Sequence, residues 1–142
     1  MPASLFERIA AGELPSHRVY DGEHVFAFLD IGPVSFGHVL LIPKTCYVEL
    51  EDVPPEVGAA LGAALPKLVK AVKAATGCSG VNVLQNNGVA AGQAVMHVHF
   101  HLIPRYGEGS PHKERFRFDW PAGQLTDTDA TQLVAAITDV LD

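Results

Sequence analysis

Met96-His97-Val98-His99-Phe100-His101-Leu102-Ile103-Pro104-Arg105 is the stretch on which the reading of this chain turns. Successive side chains of a strand point to opposite faces. A strand over residues 96–104 therefore sends Val98, Phe100 and Leu102 to a core and lines its other face with His97, His99 and His101. Three imidazoles in a row add little to packing, and burying their nitrogens is costly unless each is hydrogen-bonded. Three readings are open. The histidines can be satisfied structural residues. They can be metal ligands, since neutral imidazole binds zinc. Same-face neighbours lie roughly 6.6 Å apart and the outer pair about 13 Å, so a metal would need a further ligand such as His38. The third reading is nucleophilic catalysis. An imidazole nitrogen attacks phosphorus and later leaves, provided an acceptor holds its other nitrogen. This reading uses all three residues and the loop before them, and it is preferred.

That loop is Asn86-Asn87-Gly88-Val89-Ala90-Ala91-Gly92-Gln93-Ala94-Val95. Asn87-Gly88 alone would serve a hairpin, yet the segment is far longer than a tight turn requires. Backbone N–H groups exposed by glycines such as Gly92 can cradle phosphate oxygens, and Gln93 can add an amide donor. Upstream, residues 81–85 read as a strand. Residues 38–43 (HVLLIP) are too apolar for a surface strand and read as one buried on both faces. Residues 17–20 and 25–29 flank Asp21-Gly22-Glu23 as a hairpin.

Residues 4–11 suggest a short helix capped by Ser4, with Glu7 three residues on and Gly12 at its end. Residues 54–76 carry Val57, Leu61, Leu65, Leu68, Val69 and Val72 on one helical face, with a kink or break expected near Ala63 because Pro66 cannot donate to the carbonyl four residues back. Residues 107–123 read mostly as loop. A last helix follows over 126–141, opened by Thr126 with Asp129 three residues later. His17, His24 and His112 read as surface or loop residues. Hairpin signals dominate, which favours an α+β fold with an antiparallel sheet.

The chain has 142 residues, 48% apolar and 18% charged, enough for one globular domain. No apolar run approaches the roughly 18 residues of a bilayer span, and Glu7 and Arg8 interrupt any leader-like stretch. Cys46 and Cys78 form no CxxC pair, which fits reduced thiols and a cytoplasmic location. The net charge is −6, with a short basic stretch at Lys113, Arg115 and Arg117. Such an acidic balance opposes binding a long polyanion such as nucleic acid and suits one small nucleotide.

The sequence resembles the histidine triad (HIT) family. His97-Val98-His99-Phe100-His101-Leu102-Ile103 is similar to the family's alternating histidines. Leu5-Phe6-Glu7-Arg8-Ile9, Glu13-Leu14-Pro15, Ala27-Phe28-Leu29-Asp30-Ile31 and Gly37-His38-Val39-Leu40-Leu41-Ile42-Pro43-Lys44 resemble family blocks in family order. The likeness covers residues 5–105. It implies one HIT domain over 1–142, with a core at about 5–106 and an extension at 107–142. It also implies a HIT-like fold: a five-stranded antiparallel sheet with flanking helices, pairing in a homodimer into a ten-stranded sheet.

The resemblance further implies a bacterial-type nucleotide hydrolase or transferase. In this role His99 becomes nucleotidylated, His101 donates to the phosphate, and His97 and His38 complete the histidine chain. It places Gln93, Asn86 and Gly92 near the phosphate or ribose and Asp30 on the ribose hydroxyls. Phe6, Ile9, Leu14, Phe28, Ile31 and Leu40 would wall a purine, with adenine as the family's base. The expected reaction releases a nucleoside monophosphate from a phosphoramidate or a dinucleoside polyphosphate. The alternative is a nucleotide-binding regulatory protein with little turnover. Zinc-binding relatives use two N-terminal cysteines and histidines elsewhere. Ser4, Glu7 and Cys46 stand at the corresponding places here, so no metal or other cofactor is expected. Ala94 stands where several relatives carry Ser or Thr.

Overall fold

The computed structural model describes residues 2–112 and 116–141. The first helix, α1 (Leu5–Ala10), begins at a complete capping box: Ser4 accepts the Glu7 N–H, and the Glu7 carboxylate accepts the Ser4 N–H. Strands β1 (Arg18–Asp21) and β2 (Val25–Leu29) form the expected hairpin, closed by Gly22 N–H donating to Val25 O. Strand β3 (Val39–Pro43) is buried throughout. Helix α2 (Pro55–Thr76), β4 (Gly80–Gln85) and β5 (Phe100–Arg105) follow, and α3 (Asp127–Asp139) ends the described chain. The strands form one five-stranded antiparallel sheet in the order β1-β2-β3-β5-β4, so the α+β expectation holds.

The period-two alternation of β2 and β3 divides the core into two layers. Val25, Ala27, Val39 and Leu41, with Leu102 of β5, pack on Val57, Leu61, Ala64, Leu68 and Val72 of α2. On the opposite face Phe26, Phe28, Leu40 and Ile42 pack on Phe6 of α1. Each strand residue is thus committed to one helix or the other, which ties the register of the sheet to both layers.

Two expectations are corrected. Helix α2 runs through Pro66 as a single element, so of the kink or break expected near Ala63 the break does not occur. Pro66 and Gly62 both lie on the exposed face, where water can take the Gly62 carbonyl, while the buried stripe on the other face holds both halves to the sheet. The second concerns residues 96–99, which lie outside the ladder: β5 begins at Phe100, opposite Leu41. Val98 N–H donates instead to Tyr47 O, and His97 N–H turns back to Val95 O. This departure brings the His97 ring under β3 rather than beside His99.

Beyond β5 the chain is tied down at two points. His112 stacks on Phe36 with ring centroids 4.1 Å apart, so it is not a free surface residue. Arg105 donates to the Phe116 carbonyl at 2.9 Å. Lys113 and Arg115 of the basic stretch lie outside the described residues. Thr126 caps α3 by accepting the Asp129 N–H, and the helix leaves Leu133, Val134 and Ile137 exposed.

Candidate active site

The site lies on the α1 face of the sheet. Cross-strand pairing sets Phe28, Leu40 and His101 in one row, since Phe28 faces Leu40 and Leu40 faces His101. Above this row lies a cleft of about 370 Å³, bordered by α1, the residues after β2, and the loop before β5. Of the residues singled out in the sequence, it brings together Phe6, Ile9, Phe28, Asp30, Ile31, Leu40, Gly92, His99 and His101. Its size and apolar walls suit a ligand with a flat ring and a few polar groups.

The hydrogen bonds assign the tautomers of four histidines: His38, His97 and His99 each meet a backbone group whose role is fixed, and His101 follows from His38. His99 Nδ1 lies 2.7 Å from the carbonyl of His97 and must donate to it. The lone pair of His99 is therefore on Nε2. Val34 N–H donates to His38 Nδ1 at 3.2 Å, so the His38 proton is on Nε2 and is given to His101 Nδ1 at 2.9 Å. His101 consequently carries its own proton on Nε2. His97 donates from Nε2 to the Pro43 carbonyl at 2.8 Å, which leaves Nδ1 as the acceptor for Ser4 Oγ at 2.7 Å. His38, His97 and His101 each carry one proton in this scheme.

Electrostatics agree. Burial pushes His38 below its ordinary value, with the Asp30 carboxylate opposing the shift. His97 is lowered for the same first reason, with its bond to Pro43 O opposing. Burial, together with the neighbouring His99 and His38, brings His101 to about 4. His38 Nδ1 and Asp30 Oδ2 are 3.7 Å apart, but the Val34 N–H already occupies Nδ1, so this contact is not an ion pair.

A pH dependence of stability follows. Unfolded imidazoles take up protons near pH 6.5, whereas the folded rings resist protonation. The unfolded chain then binds more protons, and stability rises with pH across the window. The contribution is complete above about pH 6.5 and is lost as pH falls toward about 4 for His101. Thermal melts from pH 8 to pH 4 should be flat at first and then decline. A melting temperature that stays level from pH 6.5 to 4.5 would contradict the neutral-ring scheme.

Other residues singled out in the sequence are placed differently. Leu14 is not among the residues that line the cleft; it borders an adjoining depression that shares Ile9, Pro15 and Ser16 with it. Gln93 is buried and fully engaged: its Oε1 accepts Gly88 N–H at 2.8 Å, and its Nε2 donates to Val48 O at 2.7 Å and Val95 O at 3.1 Å. It clamps the loop. Asn86 stands behind Gly92, its Nδ2 3.6 Å from where a Gly92 side chain would begin, and Gly92 has φ +96°. Glycine is the residue that adopts this backbone without strain. Asp30 Oδ1 accepts Gly32 N–H at 2.8 Å, so the aspartate shapes its own turn as well as bordering the cleft.

Ala94, at the position where several relatives carry Ser or Thr, lines the cleft, and so do Pro15, Ser16 and Val95. No chemical pattern in the sequence distinguishes the last three, because the chain's path alone brings them there. Phe6 sets its ring edge-on to His97 and His99, at centroid separations of 5.6 and 5.3 Å. Among the described residues, Asp30, His38 and His101 are a group whose ligand atoms converge, within 4.8 Å of one another. A cation there would have to displace the proton that joins His38 to His101.

Comparison with known proteins agrees with this geometry. The HIT domain family matches residues 11–108. The adenosine 5'-monophosphoramidase HNT1 of Saccharomyces cerevisiae is 44% identical over 130 residues, covering 89% of this chain and 75% of that protein. The adenylylsulfatase HINT3 of Arabidopsis thaliana is 39% identical over 139 residues, covering 94% and 66%. A HIT family crystal structure from Bacillus subtilis superimposes with a TM-score of 0.91 at 37% identity, covering 99% of each chain. Matched along most of its length by the family model and by relatives of this identity, the chain belongs to the histidine triad (HIT) family.

Proposed function

We propose that this protein is a nucleotide hydrolase or nucleotidyl transferase that works through a covalent nucleotidyl-His99 intermediate. The observation that carries the reading is the His99 tautomer. With Nδ1–H given to the His97 carbonyl, the nucleophilic lone pair is left on Nε2 of a residue that lines the cleft. An imidazole held in this way needs no deprotonation before it attacks.

The purine of the substrate, adenine by family likeness, lies among Phe6, Ile9, Phe28, Ile31 and Leu40, with Asp30 on the ribose hydroxyls. His99 Nε2 bonds to the α-phosphorus while the bond to the leaving group breaks, an amine departing with a proton taken from solvent water and a phosphate or nucleotide departing as its anion. His101 donates its Nε2–H to a phosphoryl oxygen, and the proton from His38 fixes that orientation. Donors placed in advance stabilise charge gathered on the phosphoryl oxygens without reorganising. Water then attacks the phosphorus and gives up a proton to solvent, the P–N bond breaks with its electron pair returning to His99 Nε2, and the nucleoside monophosphate is released. The relatives named for AMP phosphoramidate and adenylyl sulfate chemistry support attack at an adenylyl group. Dinucleoside polyphosphates are the other leaving-group class.

The working unit is a homodimer in the cytoplasm. Strand β4 is an edge strand with Val83 exposed, and α3 leaves an apolar face that this chain does not cover. Both cysteines are free thiols, as suits a reducing compartment.

The test is turnover of an adenosine phosphoramidate and of a diadenosine polyphosphate with excess chelator present, on material whose mass is measured by sedimentation. AMP release, unchanged by chelator and from a particle of twice 15.2 kDa, is the expected outcome. Binding of AMP with no turnover of either substrate would replace the enzyme with a regulatory binder. Activity lost to chelator would replace His99 chemistry with metal chemistry.

A further inference from the structure

We propose that Ser4 and Glu7 are positioning residues for the reaction, acting on the nucleophile His99 through the buried ring of His97. The proposal deepens the nucleotidyl-histidine reading and rests on it.

A capping box ordinarily satisfies only the first N–H groups of a helix. Here both of its side chains reach further. The Ser4 hydroxyl oxygen accepts Glu7 N–H at 3.0 Å, so its proton is free to go to His97 Nδ1 at 2.7 Å. Glu7 Oε2 accepts Ser4 N–H at 3.0 Å, and its Oε1 accepts Cys46 N–H at 2.8 Å. The bond from Cys46 N–H, and after it the bond from Ser4 N–H, hold the carboxyl below its usual range. Cys46 lies three residues past Pro43, whose carbonyl takes the other His97 nitrogen. The circuit from Glu7 through Ser4, His97, Pro43 and Cys46 back to Glu7 is therefore closed.

His97 is wholly buried and does not line the cleft. Its influence on the chemistry passes through its carbonyl, which accepts His99 Nδ1–H. If His97 moves, that acceptor moves, and the tautomer of His99 is no longer held. Ser4 is the only donor among the described hydrogen bonds that reaches His97 Nδ1. Without it the ring can turn over or exchange tautomer, losing its bond to Pro43 O.

This is the corner where the family likeness sets zinc ligands in other members, and the residues present do not fit a cation. Both Glu7 oxygens accept backbone N–H groups, both His97 nitrogens are engaged, and Ser4 offers a hydroxyl. Hydrogen bonds hold the corner instead.

Three substitutions separate positioning from mere capping. Ser4→Thr keeps the cap and the hydroxyl donor. Ser4→Ala loses both. Ser4→Asp keeps a good cap but has no proton to give His97. The readouts are kcat and KM for AMP release from an adenosine phosphoramidate, the melting temperature, and the imidazole 15N signals of His97 and His99. Ser4→Asp and Ser4→Ala should each lower kcat about tenfold, the scale of one buried hydrogen bond, with KM within about twofold. Both should mix the His99 tautomers, and Ser4→Thr should restore both readouts. Glu7→Gln, which cannot accept two N–H groups with one carbonyl oxygen at both places, should follow Ser4→Ala. Wild-type kcat and an unmixed His99 tautomer in Ser4→Asp, with only the melting temperature lowered in Ser4→Ala, would reduce Ser4 to a helix cap and overturn the proposal. The 15N signals need no turnover, so they decide the point even if the wild type hydrolyses neither substrate, an outcome that would count against the enzymatic reading alone.

Discussion

His99→Ala should abolish turnover while leaving nucleotide binding almost unchanged. The residue supplies the only nucleophile in the proposed scheme, so its loss removes the covalent route and not merely one stabilising contact. Removing the nucleophile of an enzyme that works through a covalent intermediate commonly costs roughly 10⁴-fold or more in kcat. Binding should survive because the base and ribose contacts come from other elements: Phe6 and Ile9 on α1, Phe28 on β2, Leu40 on β3, and Asp30 just after β2. The alanine also opens space beside the Phe6 ring, which sits 5.3 Å from His99 centroid to centroid, and AMP affinity should change by no more than a few fold. Single-turnover assays with an adenosine phosphoramidate and titration calorimetry with AMP measure the two quantities. A variant that keeps a tenth of wild-type kcat would remove His99 from the nucleophile's role.

Leu102→Ala should produce the largest loss of stability among single core truncations near the site. Leu102 is completely buried and lies on β5 directly after His101. It pairs with Val39 on one side and Val83 on the other, and belongs to the layer that rests on α2. Truncation removes buried methyl groups and leaves a cavity that strands on both sides prevent from collapsing. Such changes cost about 2–5 kcal/mol, a large share of the roughly 5–15 kcal/mol that holds a domain folded. The melting temperature should fall on the order of 10 °C, which urea unfolding can confirm. Because the side chain faces away from the cleft, the folded fraction should keep most of its activity. A cost below about 1 kcal/mol would mean that the α2 layer does not anchor the histidine strand.

These two substitutions, at positions three residues apart, act on opposite faces of the same stretch. The alternation that separates them was readable at once from residues 96–104. So were the hairpin around Asp21-Gly22-Glu23, the capped first helix, and the doubly buried β3, because each rests on a local pattern: a turn pair, a cap three residues from its partner, an unbroken apolar run. A break near Ala63 does not occur, for an equally physical reason. A local rule about one missing N–H was outweighed by a buried stripe running along the whole helix, with the proline on the exposed face.

Residue chemistry along the chain determined the antiparallel α+β class, singled out the three histidines as the candidate reactive group, and marked most of the cleft's apolar wall. Only the tertiary structure decided what each histidine does. A tautomer depends on which carbonyl or N–H lies opposite each ring nitrogen. Those partners come from Pro43, Val34, Ser4 and the carbonyl of His97 itself, across strands and loops far apart in sequence. The same is true of Gln93, read as a phosphate donor but occupied in clamping its loop to Val48, and of Leu14, whose side of the chain faces another depression. Apolar periodicity is written into neighbouring residues, whereas hydrogen-bond partnership is a property of three-dimensional neighbours, and in this protein it is the latter that sets which nitrogen of His99 faces the His97 carbonyl and which is left for the proposed attack.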